Sequence, residues 1–140
     1  MGFNEIMEMA LNLLKDYDLA DYTEEDLKLE MSIRLNMVMV KAQFFDLNFD
    51  SETYTFDRAL TGLEATILAH GLLMQWLYPM VHNSEVLSSQ LTSKEYTAYS
   101  NANRINSMIQ LQRNAQNEFY YLVNNYDFFN VKQQWKEDEN

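Results

Sequence analysis

The chain has 140 residues, with 21 acidic against 10 basic side chains, a formal charge of -11, 47% hydrophobic residues, three glycines, one proline and no cysteine. This length fits one domain with a real core, and the lack of cysteine excludes disulfide staples and thiolate zinc sites. Acidity without any window rich in Lys and Arg argues against direct DNA or RNA affinity.

So few turn residues disfavour a multi-hairpin β design and favour long helices joined by polar loops. The expected fold is mainly α, a small helical bundle with one long C-terminal helix and a polar, partly extended loop. Residues 1–131 are expected to form a single helical domain and 132–140 a flexible C-terminal tail.

The first residues carry acids where a signal peptide needs a basic start, so no secretion signal is expected. Ile6, Met9, Ala10, Leu13 and Leu14 make one helical stripe, predicting a helix over Asn4 to Lys15. Asp16 to Tyr22 should break it. Thr23 followed by Glu24, Glu25 and Asp26 is a helix start, with acids where the helix dipole favours them.

Residues 27 to 40 pose a conflict, because their apolar residues alternate as in a strand. Leu, Met, Lys, Glu and Arg are helix formers, however, and the preceding start signal predicts a helix. Wound as one, Leu27, Met31, Leu35, Val38, Ala42 and Phe45 fall on one face, and Leu29, Ile33, Met37, Val40 and Phe44 on the opposite face. A helix apolar on both sides must be covered on both, either by its own chain or by a neighbouring subunit.

Asp46 to Ala59 is polar and aromatic, with Tyr54, Thr55 and Phe56 able to form a short strand. Asp46, Asn48, Asp50, Glu52, Tyr54 and Asp57 stand at the ligand positions of a calcium-binding EF-hand loop. The match is partial. Ser51 replaces the turn glycine and Asp57 the bidentate glutamate, so this is a weak calcium candidate and no metal or other cofactor is expected.

Thr61 with Glu64, and Thr92 with Glu95, form two capping boxes before apolar runs. The first run, from Leu63 through Leu77, is expected to end at Pro79, followed by a short Ser-rich loop from His82 to Leu91. Ala65 to Val81 is too short and interrupted to span a bilayer. His70 has no second ligand at helical metal spacing, which suits a satisfied core or interface histidine, and His82 near Glu85 is too common a pair to signal acid-base work. With no thiol nucleophile, Gly-rich phosphate cradle or nucleophile elbow, the chain is not expected to be an enzyme.

The final helix is expected from Ser93 to about Tyr126, bent or split near Ser100. Its polar side is built of amides, among them Asn103, Asn106, Gln110, Asn114 and Asn117, with only Arg104 and Arg113 as charges. Amides are buried in a contact at lower cost than charges and both donate and accept hydrogen bonds, which suits a subunit interface. Phe128, Phe129 and Trp135 lie beyond it, and a Trp in a polar tail suits docking into a partner.

Three segments in this order, a capped two-sided helix, a helix ending Trp76-Leu77-Tyr78-Pro79, and Leu91-Thr92-Ser93-Lys94-Glu95-Tyr96-Thr97-Ala98-Tyr99-Ser100 leading into an amide-rich helix, resemble small virion proteins of tailed bacteriophages. The resemblance is to neck, or head-tail connector (adaptor), proteins, and covers roughly Asp21 to Phe129. It implies a non-enzymatic subunit of a ring-shaped homo-oligomer, a dodecamer, located in the virion neck after assembly in the host cytoplasm. Such a ring binds the portal protein and tail or neck proteins, with DNA passing through unspecifically bound and no membrane involved. The residues themselves leave a second reading open, a small cytosolic helical regulator or inhibitor that binds one host protein.

Overall fold

The computed structural model describes residues 2–14, 23–90 and 102–138, and side chains at 2–14, 23–79, 81, 82 and 106–126. Among the described residues four helices, α1 (Phe3–Leu14), α2 (Glu24–Lys41), α3 (Gly62–Gln90) and α4 (Ala102–Asp138), enclose one core, and a two-stranded hairpin, β1 (Phe49–Asp50) and β2 (Thr55–Phe56), lies between α2 and α3. The expected mainly helical class is what the chain adopts. The expected break at Asp16 to Tyr22 and the Thr92–Glu95 box lie outside the described residues.

α1 buries Phe3, Ile6, Met7, Ala10 and Leu14, the spacing of one helical face. α3 is the central element and packs on α1, α2 and α4. Between Ala65 and Leu77 it buries Ala65, Ile67, Leu68, Ala69, Leu72, Leu73, Met74, Trp76 and Leu77, so it is apolar nearly all round, as a core helix must be. α4 covers it with Ala115, Phe119 and Val123.

At Gly71 three helices converge. A Cβ there would stand 2.2 Å from Val38 Cγ1 of α2 and 2.9 Å from Phe119 Cε2 of α4, so the missing side chain is what lets the helices approach.

Two helix ends differ from the sequence expectation. α3 continues through Pro79 to Gln90, whereas the proline was expected to stop it and His82 to Leu91 to form a loop. Tyr78 and Pro79 are exposed, and on a solvated side water is able to satisfy the carbonyl that a helical proline leaves unpaired. α4 likewise runs to Asp138, so its helical backbone takes in most of the stretch from 132 to 140 expected as a flexible tail. Good helix formers on either side of Trp135, Lys132, Gln133 and Gln134 before it and Lys136 and Glu137 after it, support that extension.

The start of α3 is a complete capping box: Glu64 N donates to Thr61 Oγ1 at 3.1 Å and Thr61 N to Glu64 Oε1 at 2.9 Å. Glu64 is buried, 2% exposed, and also accepts from Arg58 at 3.0 and 2.7 Å and from the Tyr126 hydroxyl at 3.0 Å. Burial alone would raise its pKa. The bonds from Arg58, Thr61 and Tyr126 outweigh that and lower it from 4.5 to about 2. One carboxylate thus ties the segment after the hairpin, the start of α3 and α4 together.

Candidate protein-interaction surface

α2 begins where the sequence places it. Thr23 is extended (φ -76°, ψ 163°) and accepts from Asp26 N at 3.1 Å, with Glu24, Glu25 and Asp26 in the first turn. The helix ends in a Schellman turn, Phe44 N donating to Met39 O at 3.0 Å and Gln43 N to Val40 O at 3.0 Å. Gln43 takes the left-handed conformation this motif needs (φ 62°). Glycine adopts that conformation without strain, so Gln43→Gly is expected to stabilise the chain by about 1 kcal/mol, read as a higher urea midpoint.

That turn corrects the two-faced reading at its end. On a continuing helix Phe44 would join the outer face and Phe45 the inner one. The left-handed residue reverses them: Phe44 is 2% exposed and packs edge-on to Tyr126 at 5.0 Å, whereas Phe45 is 76% exposed. Phe44 is therefore core in the folded chain, and Phe45 takes its place outside.

The rest of the pattern divides as read. Leu27, Met31, Leu35 and Val38 are buried, while Leu29, Ile33, Met37 and Val40 are 52–62% exposed. These four form one stripe, and with Phe45 they make a contiguous apolar patch of the kind that marks interaction sites. Glu30 and Arg34 beside it, and Lys28 farther round the helix, are engaged inward or along the helix. Arg34 Nη1 meets Glu30 Oε2 at 2.8 Å and its guanidinium lies 4.9 Å from the Trp76 ring, and Lys28 Nζ lies 4.5 Å from the Tyr54 ring. At its C-terminal end the stripe opens into a groove of about 330 Å³ lined by Asn36, Met39, Val40, Phe44, Phe45 and Leu47.

The amide side of α4 is presented differently. Asn106, Gln110, Asn114 and Asn117 are exposed, and Gln110 Nε2 donates to Asn114 Oδ1 at 2.9 Å. Gln112 is buried and donates to Gln116 Oε1 at 3.1 Å. The side chains of Asn103, Phe128, Phe129 and Trp135 lie outside the described residues.

The weak calcium candidate folds as a hairpin, not as a loop around an ion. Phe49 pairs with Phe56 and Asp50 with Thr55, and Tyr54 is left-handed (φ 56°). Asp57 accepts from Asn48 N at 3.0 Å and Asn48 Nδ2 at 2.9 Å, bonds that hold its carboxyl below the usual range. Asp50 accepts from Glu52 N at 2.9 Å, and Asp46 lies 3.4 Å from Arg58. The carboxylates serve the turn and its neighbours, and among the described residues no group of three or more His, Asp or Glu is placed to hold a metal. The aromatic face of the hairpin packs on α1, with Phe3 5.3 Å from Phe49 and 5.4 Å from Tyr54.

A second cleft, about 290 Å³, lies between α1, α3 and α4 and is lined by residues including Leu13, His70, Leu111 and Glu118. Nδ1 of His70 is 2.9 Å from the Thr66 carbonyl. A carbonyl only accepts, so this nitrogen carries the proton and is spent on the backbone. No helix among the described residues is long and apolar enough to cross a membrane.

Comparisons with protein-family models, curated proteins and solved structures find no match. The surface must be read from its own chemistry, an uncovered apolar helix face continuous with a groove.

Proposed function

We propose that this chain is a non-enzymatic assembly protein, the subunit of a ring-shaped head-tail connector in a tailed-phage virion. The observation that carries the assembly role is the uncovered stripe of α2, which burial against a neighbouring subunit in the ring would stabilise. The amide side of α4 offers a second contact that is cheap to desolvate. The step from assembly protein to connector rests on the resemblance in the segments around Trp76 to Pro79 and Leu91 to Ser100. The acidic balance suits a wall that DNA passes without being held.

The test is the mass of the chain by light scattering, alone and mixed with the portal protein of its own virus, with negative-stain imaging of the mixture. A ring of dodecameric mass seated on portal is the expected result. A chain indifferent to portal contradicts the connector reading, and a one-to-one complex with a single host protein would favour the regulator in its place.

A further inference from the structure

We propose that the free chain pairs with a second copy of itself through α2, the two helices antiparallel about a two-fold axis near Leu35 and Asn36. This rests on reading the outer face of α2 as a protein contact, and not on the connector itself.

The stripe is symmetric about its own midpoint. In antiparallel register, Leu29 meets the partner's Val40 and Ile33 meets the partner's Met37, so every level sets apolar against apolar. The same patch serves both copies, as an isologous contact requires. At the C-terminal end of the stripe the groove beside Val40 and Phe45 lies where the partner's Leu29 would sit.

The flanking charges choose the direction. Glu30 and Lys41 lie on the same flank of the stripe, near opposite ends of α2. Antiparallel pairing brings Glu30 beside the partner's Lys41, and does so twice, whereas parallel pairing, about an axis along the helices, puts the charged flanks of the two copies on opposite sides of the seam and leaves both charges without a partner across it. Glu30 already accepts from Arg34, but a carboxylate has capacity for further bonds.

An isologous pair closes on itself, while a cyclic ring needs a head-to-tail contact. The pair is therefore the form before assembly. It covers the stripe in both copies, and ring formation must uncover it.

The absence of cysteine makes the test clean. Asn36→Cys and Lys41→Cys full-length chains are treated separately with a short bis-maleimide linker, beside light scattering of the unsubstituted chain. Pairing as described gives a dimer mass, and Asn36→Cys, next to the axis, links to itself at least fivefold faster than Lys41→Cys, which lies far from it. Equal linking at both positions indicates parallel pairing and overturns the proposal, as does a monomer mass at high concentration. A monomer that still forms rings on portal overturns the pair alone, and a pair that ignores portal overturns the connector alone.

Discussion

Gly71→Ala is expected to destabilise the bundle by about 3 kcal/mol, lowering the melting temperature by roughly 10 °C. In an ordinary helix the same change would stabilise by about 1 kcal/mol, because alanine is the better helix former. Here the added methyl meets Val38 Cγ1 at 2.2 Å and Phe119 Cε2 at 2.9 Å. Neither is the end of a flexible side chain. Val38 is β-branched with a restricted χ1, and both neighbours are fully buried, so relief requires α2 or α4 to move. Val38→Ala in the same chain should recover part of the loss even though it costs stability alone, a coupling that a double-mutant cycle reads directly. A neutral or stabilising Gly71→Ala would mean that the three helices do not meet as described.

Glu64→Ala should cost about 2–4 kcal/mol, since it removes the main partner of the partly exposed Arg58 guanidinium and empties a buried site at the start of α3. The Nε of Arg58 is already buried without a hydrogen-bond partner, and the Tyr126 hydroxyl and Thr61 N–H each lose their bond to Glu64. Glu64→Gln keeps the shape and loses the charge, and should cost about 2 kcal/mol at neutral pH.

Acid has a related effect. The folded pKa of about 2 lies below the ordinary 4.5, so the contribution of this carboxylate is fully present above about pH 4.5 and is lost as pH falls toward 2. Its size is on the order of 3 kcal/mol. Urea titrations at pH 7, 4 and 3 should show the native chain losing stability over that window and Glu64→Gln losing less. Parallel pH profiles would show that Glu64 is not held as an anion by these partners.

These two sites differ in how far the sequence revealed them. Thr61 and Glu64 stand three residues apart, and local spacing is enough to read a capping box. Arg58 is six residues away and Tyr126 sixty-two, and no local pattern announces such partners. Nothing local marks Gly71 within its apolar run, because what it makes room for comes from two other helices.

α2 shows the same division. Its helical nature, its cap at Thr23 and its two apolar faces follow from residue type and angular spacing, which are local. Which face the chain itself covers depends on where α3 lies, and α3, not α2, proved to be the element packed against the three other helices. The exchange of Phe44 and Phe45 depends on one left-handed residue, Gln43. Glycine would have signalled it, and glutamine does not. The passage of α3 through Pro79 was hidden for the converse reason, since a proline reads as a stop unless its exposure is known.

The central claim is that the outer face of α2 is made to be covered by another protein chain. Its most direct test is light scattering of the full-length chain with and without Ile33→Asp, together with the melting temperature of each. Ile33 is 62% exposed in the single chain, so the substitution should leave the folded monomer stable while placing a charge that association would have to desolvate. The unsubstituted chain should associate and Ile33→Asp should run as a folded monomer. An Ile33→Asp chain that associates as before, or that unfolds instead of dissociating, would contradict that claim.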